Sequence, residues 1–546
     1  MKKLNYIVFS ILFISLSIGN LFSQNKSKKP NILWITNEDM SPQHLGCYGG
    51  KIAKTPNIDQ LAKEGVRYTN AFSTAGVCAP SRNSIITGMY QTSIGGHNMR
   101  NYSPRSFNSP NFKSDAPLSS YSILTPEGLK AFPEFLREAG YYCTNNSKQD
   151  YQFEAPETVW DENSETADWR GRKDKNQPFF AVINLEDTHE GQLFARDNIP
   201  LTVKPEEVEL LPFYQETLIM RKDVARHLSN IEDMDSKVGK IINRLKEDGL
   251  YDNTIVFYYS DHGDCLPYVK RELYDRGLRV PLVIRYPQGK DGGTVNNEMI
   301  SFVDFAPTIL SLANLPIPNY MQGQAFLGAK RAKTPRKYIH AARDRMDSEV
   351  DRVRAVFDGR FKYLKNYMPE KPYYQNISYR MRIKSVAEMI KLRDEGKLTG
   401  LQMHWFRKNK PVEELFDVKN DPYEVNDIAN DPQYADKLKE LRDQHEAWTK
   451  KYGDLGEFTE KEIRDKWWNG NDKAPKTDSP TVTFDKSKVI IKCETKSSSI
   501  GYKKHSSDKS WSVYTGPILL NKGDSLLVQA YRIGYDKSDV IKTKIN

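Results

Sequence analysis

The residues best suited to chemistry are a lone cysteine and an arginine one helical turn later, in the segment Cys78-Ala79-Pro80-Ser81-Arg82. The segment follows a predicted strand. Pro80 suits the first turn of a helix, and the Ser81 hydroxyl can accept a free backbone N–H there. Cys78 would then lie beside a guanidinium at the positive end of a helix dipole, where thiols are activated and anions bind. The pattern predicts a nucleophile inside an anion-binding site.

Acidic residues follow two predicted strands and indicate a metal site. Glu38 and Asp39 come after the first strand, and Asp261 and His262 follow an apolar strand over residues 255–259. Adjacent acids are costly to bury unless a cation neutralises them. Oxygen ligands favour Ca²⁺ or Mg²⁺, while the His262 nitrogen leaves room for a transition metal.

Residues 78–88 resemble the signature of formylglycine-dependent sulfatases, Cys-x-Pro-Ser-Arg-x-x-x-x-Thr-Gly, and every fixed position is filled. These enzymes belong to the alkaline phosphatase superfamily. The resemblance extends over about residues 31–451 and is closest to the branch that contains sulfamidases and bacterial polysaccharide sulfatases. It implies that a formylglycine-generating or equivalent maturation enzyme oxidises Cys78 to formylglycine (3-oxoalanine), whose hydrate attacks sulfur.

The resemblance also implies roles for the residues around the cysteine. Arg82 would steady the formylglycine, Lys148 and Lys270 would neutralise the sulfuryl group, and His189 would protonate the leaving oxygen. Ca²⁺ is the expected cofactor, with Mg²⁺ as the alternative. The implied metal ligands are Glu38, Asp39, Cys78, Asp261 and His262.

The sequence departs from the family pattern at several of these positions. Glu38 stands where the pattern has aspartate, and His262 where many relatives have asparagine. His189 matches only the last histidine of a His-x-Pro-His segment. Asp150 replaces the histidine of the Lys-x-His element that begins at Lys148. Because a carboxylate repels sulfate, we expect Asp150 to orient a neighbour.

Further cationic side chains are candidates for contacts to a sugar or its carboxylate. They are His97, Arg100, His340, Arg343 and Arg345.

Short apolar strands that alternate with amphipathic helices predict an α/β fold, with a large mixed sheet sandwiched by helices as in alkaline phosphatase-like sulfatases. We predict a catalytic domain over residues 24–330, a smaller α+β subdomain over 331–468 and an appended β-sandwich module over 479–546. The clearest predicted strands are 31–36, 66–72, 141–144, 179–185, 254–259 and 281–285, and the clearest helices are 130–139, 219–248 and 305–312.

The composition is that of a globular, exported protein. The chain has 546 residues, 38% of them hydrophobic, which is enough for a large core. Lys2 and Lys3, a mostly apolar run and Ser23 predict a signal peptide over residues 1–23, with a retained membrane helix as the alternative. Removal of the two lysines lowers the net charge from +9 to +7. We expect a periplasmic or secreted enzyme without a stable membrane span.

The net charge and the cysteines restrict which binding partners, disulfides and metal sites are expected. A modestly basic exported protein suits an anionic polymer. Nucleic acid is not expected, because the sequence has no zinc-finger spacing and no basic run interleaved with aromatic residues. The five cysteines are scattered and predict neither a disulfide framework nor a CxxC metal site.

These features are interpreted together as a hydrolase that degrades an anionic polysaccharide or its oligosaccharides, algal such as ulvan or a glycosaminoglycan, by cleaving sulfate esters. Two alternatives stay open. One is a phosphate or phosphonate ester hydrolase of the same superfamily, which comparison of sulfate and phosphate ester turnover separates. The other is a non-catalytic protein in which an unmodified Cys78 leaves a site that binds sulfated glycans but does not cleave them. The mass of the tryptic peptide ending at Arg82 decides between modified and unmodified Cys78.

Overall fold

The computed structural model describes residues 29–101, 121–123, 125–485, 488–521 and 523–544, so the predicted signal peptide over residues 1–23 lies outside the described residues. The strands are β1 Asn31–Asn37, β2 Val66–Phe72, β3 Tyr142–Asn146, β4 Glu162–Asn163, β5 Phe179–Leu185, β6 Thr254–Ser260, β7 Arg279–Arg285, β8 Thr294–Ser301, β9 Ile339–Arg343, β10 Val353–Phe357, β11 Phe361–Asn366, β12 Glu413–Asp417, β13 Thr481–Asp485, β14 Lys488–Lys492, β15 Ser499–Lys503, β16 Ser512–Val513, β17 Ile518–Leu519, β18 Ser525–Tyr531 and β19 Ile541–Lys544. The α-helices are α1 Pro56–Glu64, α2 Cys78–Thr87, α3 Phe132–Glu138, α4 Gln192–Ala195, α5 Leu218–Glu247, α6 Asp275–Leu278, α7 Phe305–Leu312, α8 Lys384–Asp394, α9 Ala435–Tyr452 and α10 Glu460–Trp467.

The central sheet has eight strands in the order β4-β3-β5-β1-β6-β7-β2-β8, and β7 runs antiparallel to both of its neighbours. Alternate residues of the buried strand β1 pack on opposite faces of the sheet. Leu33 and Ile35 pack with α1 and α5, while Ile32 and Trp34 pack with α2, α3 and α7. Burial on both faces explains why the strands are continuous apolar runs. The predicted mixed sheet between helices is confirmed.

The topology brings three loops together at the carboxyl ends of the strands β1, β5 and β6. In the parallel register Asn37 lies opposite Leu185 of β5 on one side and opposite Ser260 of β6 on the other. The segments that follow β1, β5 and β6 therefore leave the sheet side by side. In open parallel sheets such carboxyl ends of strands form binding sites.

The C-terminal part contains three smaller antiparallel sheets. The sheet β12-β11-β10-β9 packs on α9 through Val356, Tyr363 and Leu441, as expected for an α+β subdomain. The last segment forms two sheets, β13-β14-β17 and β16-β15-β18-β19, around a small apolar core. Ile533 of this module is buried in the core of the central sheet, and Ser499 donates a buried hydrogen bond to Glu134. The last segment thus packs against the part of the chain that contains the central sheet.

Most predicted segments agree with the structure to within about two residues, and residues 66–72, 179–185 and 305–312 agree at both ends. Strand β8 and helix α8 were not predicted. The outer part of β8 is polar because it lies at the edge of the sheet with its first residues exposed. Among the described residues no helix combines the length and apolar character required to cross a bilayer.

Candidate active site

Cys78 is the first residue of helix α2, which confirms the helix start predicted from the sequence. Its side chain is fully buried. The predicted capping role of Ser81 is wrong. Its hydroxyl donates to the backbone carbonyl of Asp261 at 2.7 Å instead. This hydrogen bond joins α2 to the loop after β6, because the two elements meet at the carboxyl ends of the parallel strands. It fixes the cysteine against the predicted metal ligands.

The groups that follow β1 and β6 converge on one buried point. Asp39 Oδ1 lies 2.9 Å from His262 Nε2, and Asp261 Oδ1 lies 3.6 Å from the same nitrogen. Asp39 Oδ1 and His262 Nε2 have no properly oriented hydrogen-bond partner among the described residues, although both are fully buried. Buried polar atoms in folded proteins rarely lack a hydrogen-bond partner. Convergent, unpartnered oxygen and nitrogen atoms fit a cation between them.

Electrostatics support the same conclusion. Burial acts to lower the pKa of His262, yet the carboxylates of Asp261 and Asp39 outweigh it and raise that pKa to about 10. The carboxylates thus concentrate negative charge at this point, which favours a cation there. Glu38 contributes a second candidate ligand group together with Asp39 and His189.

Arg82 bridges the carboxylates of both loops. It donates from Nε to Asp261 at 3.0 Å, from one terminal nitrogen to Glu38 at 2.9 Å and from the other to Asn184 at 2.7 Å. Asn184 lies near the end of β5 and was not singled out from the sequence. Burial tends to raise the pKa of Glu38, but the Lys148 ammonium and the Arg82 guanidinium hold it at about 2. Glu38 is therefore ionised and available as a ligand.

The two predicted lysines and the predicted histidine reach the same site. Lys148 Nζ lies 2.7 Å from Glu38, and Lys270 Nζ lies 2.5 Å from Asp39. His189 Nε2 lies 3.9 Å from Glu38. Burial, and then the Lys270 ammonium, lower the pKa of His189. An anion bound beside this ring opposes that effect and favours the protonated form.

Glu190 and Arg271 belong to the site but were missed in the sequence. The Glu190 backbone N–H donates to Asp39 at 2.7 Å, and its carboxylate accepts from both terminal nitrogens of Arg271 at 2.7 and 2.9 Å. The same carboxylate lies 3.2 Å from Lys270. Although burial disfavours the charge, Arg271 and Lys270 hold the pKa of Glu190 well below its usual range. The only sequence signal is adjacency to His189 and Lys270.

Asp150 lies between two cations and beside the Cys78 thiol. Its carboxylate is 3.5 Å from Lys148 and 3.9 Å from Arg100. Burial disfavours the charge of Asp150, but these cations outweigh it and hold the pKa of Asp150 below its usual range. That Asp150 orients neighbouring groups stays a prediction.

The exposed fraction of the side chains shows from which side a substrate enters. Asp39 is fully buried, as is the cysteine, whereas Lys148 is 12% exposed, His189 17%, Asp150 25% and Arg100 35%. The mouth of the site is therefore on the side of Asp150 and Arg100, and Cys78 lies at its floor.

Four of the five candidate sugar contacts are held elsewhere. His97 is buried beside Asn98. Arg343 donates to Glu272 and to Gln375, each at 2.8 Å, and Arg345 pairs with Glu460 at 2.6 Å. His340 stacks on Trp448 with ring centroids 5.0 Å apart. Only Arg100 of this set lies at the mouth.

Comparison with known proteins gives two family matches. The model described as sulfatase matches residues 30–315, and the model described as N-sulphoglucosamine sulphohydrolase, C-terminal, matches residues 263–376. The chain is 43% identical over 554 residues to an ulvan-active sulfatase of Formosa agariphila, and the match covers 94% of this chain and 91% of that protein.

Solved structures show the same fold at low identity. A protein in complex with its substrate D-glucosamine-2-N,6-O-disulfate is similar with a TM-score of 0.56 and 20% identity, covering 78% of this chain and 98% of that chain. The phosphonate monoester hydrolase of Agrobacterium radiobacter is similar with a TM-score of 0.56 and 17% identity, covering 79% of this chain and 98% of that chain.

Proposed function

This chain belongs to the sulfatase family, and from that premise we propose that it hydrolyses sulfate esters of an anionic polysaccharide of the ulvan type, or of its oligosaccharides. The resemblance seen in residues 78–88 is confirmed by the family match. The observation that carries the proposal is the convergence of Cys78, unpartnered cation-ligand atoms and two lysines at the floor of one cleft. The 43% identity to an ulvan-active sulfatase supports this substrate class over a glycosaminoglycan.

The residues present fit both groups that the family uses. Carboxylates favour Ca²⁺, with Mg²⁺ as the alternative, and the cation would be held by Glu38, Asp39, Asp261, His262 and the modified residue 78. A bound cation supplies charge that neutralises a sulfate oxygen and lowers the pKa of a hydroxyl. Formylglycine, made from Cys78 by a maturation enzyme, supplies an aldehyde hydrate with two hydroxyl groups at the floor of the cleft.

The chain's own residues then hold the sulfate and move a proton. Lys148 and Lys270 neutralise charge on the sulfuryl oxygens. Arg82 fixes the carboxylates of Glu38 and Asp261, while Glu190 holds the Lys270 ammonium in place. His189 donates its proton to the departing sugar oxygen.

Replacing His189 by alanine is expected to slow hydrolysis of a sugar sulfate by ~10²–10⁴, but to slow an aryl sulfate with an acidic phenol much less. The reason is that a general acid matters in proportion to how poor the leaving group is. Lys148→Ala and Lys270→Ala are expected to slow both substrates alike, by ~10²–10³, because they stabilise the sulfuryl group whichever alcohol departs. The measurement is kcat/KM for both esters with each variant.

Lys290→Ala serves as the control, because Lys290 is exposed in the turn before β8. Equal losses for His189→Ala on both esters would reassign this histidine to sulfate binding. The proton donor would then be a different group.

A second candidate activity is hydrolysis of phosphate or phosphonate esters. The likeness in fold to a phosphonate monoester hydrolase favours testing it. Matched aryl sulfate, phosphate and phosphonate esters are compared by kcat/KM on one preparation. A higher value for the phosphonate than for the sulfate would overturn the proposed sulfatase activity.

We further propose that residues 1–23 direct export to the periplasm or the medium, and that residues 479–546 form an accessory β module beside the catalytic domain over 24–330 and the subdomain over 331–468. The charged start, apolar run and Ser23 support the export signal. Mass spectrometry of the mature N-terminus in a cell fraction tests it, and an intact Met1 in the cytoplasmic fraction would contradict it.

A further inference from the structure

Among the described residues, Arg100 differs from the other cations of the site in having no carboxylate closer than 3.9 Å. The other cations lie 2.5 to 2.9 Å from a carboxylate oxygen; they are Arg82, Lys148, Lys270 and Arg271. The nearest carboxylate to Arg100 is that of Asp150 at 3.9 Å. Within the described residues, Arg100 donates no hydrogen bond. Its guanidinium is therefore available to a ligand.

The backbone indicates that the position of Arg100 is held by its surroundings. Arg100 has φ 54° and Asp150 has φ 49°, both in the left-handed region that side chains with a Cβ seldom adopt. Such residues persist where the surrounding structure fixes them, and they cluster at binding sites. Burial disfavours the Arg100 charge, but Asp150, Cys78 and Asp347 outweigh it and raise its pKa. The charged guanidinium thus lies in the electrostatic surroundings of Asp150 and Cys78.

The sulfate ester itself is not the best ligand for Arg100. Lys148 and Lys270 contact the predicted metal ligands at the floor, whereas the Arg100 side chain is more exposed than that of Asp150, 35% against 25%. Asp150, 3.9 Å from one terminal nitrogen of Arg100, repels an anion from that side of the guanidinium. The planar fork of N–H donors, which has no hydrogen-bond partner among the described residues, matches the two oxygens of a carboxylate or a sulfate.

We propose that Arg100 binds a second anionic group of the substrate, a carboxylate or a further sulfate on the saccharide that carries the ester being cleaved. Asp150, next to it, then accepts a hydroxyl of the same sugar. The inference rests on the proposed function, since it assigns a specificity group to the same cleft. It predicts that the enzyme prefers saccharides with two negative groups close together.

The test measures binding to unmodified Cys78 protein, so that no ligand is consumed. Three sugars are compared by calorimetry: a monosulfated disaccharide with a uronic acid, a disulfated neutral sugar and a monosulfated neutral sugar. Arg100→Ala is expected to weaken binding of a doubly anionic ligand by about 10- to 100-fold relative to the monosulfated neutral sugar, the worth of a charge-assisted hydrogen bond. The ligand that shows the loss identifies carboxylate or sulfate as the group bound.

Two further variants separate recognition from folding. Arg100→Lys keeps the charge without the fork and is expected to recover part of the selectivity. Arg170→Ala is the matched control. The Arg170 side chain is 43% exposed and pairs with Asp248, a residue of the segment that precedes β6. It should leave the affinity ratios at the wild-type values.

Equal losses for all three ligands with Arg100→Ala and Arg100→Lys would overturn the inference. Aryl sulfate hydrolysis by the matured wild-type enzyme tests the proposed function separately. If that hydrolysis occurs while the affinity ratios do not change in the Arg100 variants, the inference alone falls. If the matured enzyme hydrolyses no sulfate ester, the proposed function falls with it.

Discussion

Replacing Cys78 by alanine is expected to abolish sulfate ester hydrolysis, with a loss on the order of 10⁶-fold as for removal of other enzymatic nucleophiles. The fold should remain, because alanine suits the first turn of a helix and Cys78 forms no disulfide. The measurements are kcat on a sulfated oligosaccharide and the thermal unfolding curve. Retained activity in a folded Cys78→Ala protein would exclude the formylglycine mechanism.

Cys78→Ser should be nearly as inactive in a host that modifies only cysteine. A serine ester of sulfate has no second hydroxyl to expel the sulfate, so the protein should accumulate a stable adduct with the mass of one sulfuryl group. Mass spectrometry of the peptide that ends at Arg82 provides the control in the wild type. Conversion of the thiol to the aldehyde exchanges a sulfur for an oxygen and removes two hydrogens. A fully active serine variant would indicate hydrolysis by another nucleophile.

Removal of the cation is expected to eliminate activity, and Ca²⁺ or Mg²⁺ should restore it. Asp39→Ala and Asp261→Ala should each lower kcat by ~10³ or more, because a catalytic cation contributes several kcal/mol to the stability of the transition state. The structural basis is the pair of ligand atoms of Asp39 and His262, 2.9 Å apart, which have no properly oriented hydrogen-bond partner among the described residues. The measurements are elemental analysis and kcat before and after chelation.

Asp168→Ala is the matched control for the ligand variants. Asp168 is also a buried carboxylate, but it pairs with Arg244 and accepts from the backbone N–H of Arg170, away from the site. It should retain both the cation and the activity. Normal turnover by protein shown to be free of metal would contradict the metal assignment.

The sequence alone determined the class of fold and the chemical groups at the floor of the site. Continuous apolar strands such as β1 and β5 are visible because a sheet buried on both faces needs them. Glu38 and Asp39 were identifiable because they directly follow such a strand. Asp261 and His262 also follow an apolar strand and were identified by their resemblance to the sulfatase pattern. Parallel neighbours then bring their carboxyl ends together without any further information.

Only the tertiary structure decided which charged groups face one another. Arg345 was a candidate for sugar contact, yet it pairs with Glu460, 115 positions away in the chain. The Ser81 hydroxyl donates to the backbone carbonyl of Asp261 and does not cap its own helix. Arg271 forms an ion pair with Glu190. Long polar side chains show no periodicity that reveals their partners, because these depend on which loops meet in space. For the same reason the sequence did not distinguish Arg100, whose nearest carboxylate among the described residues is 3.9 Å away, from arginines that the fold neutralises.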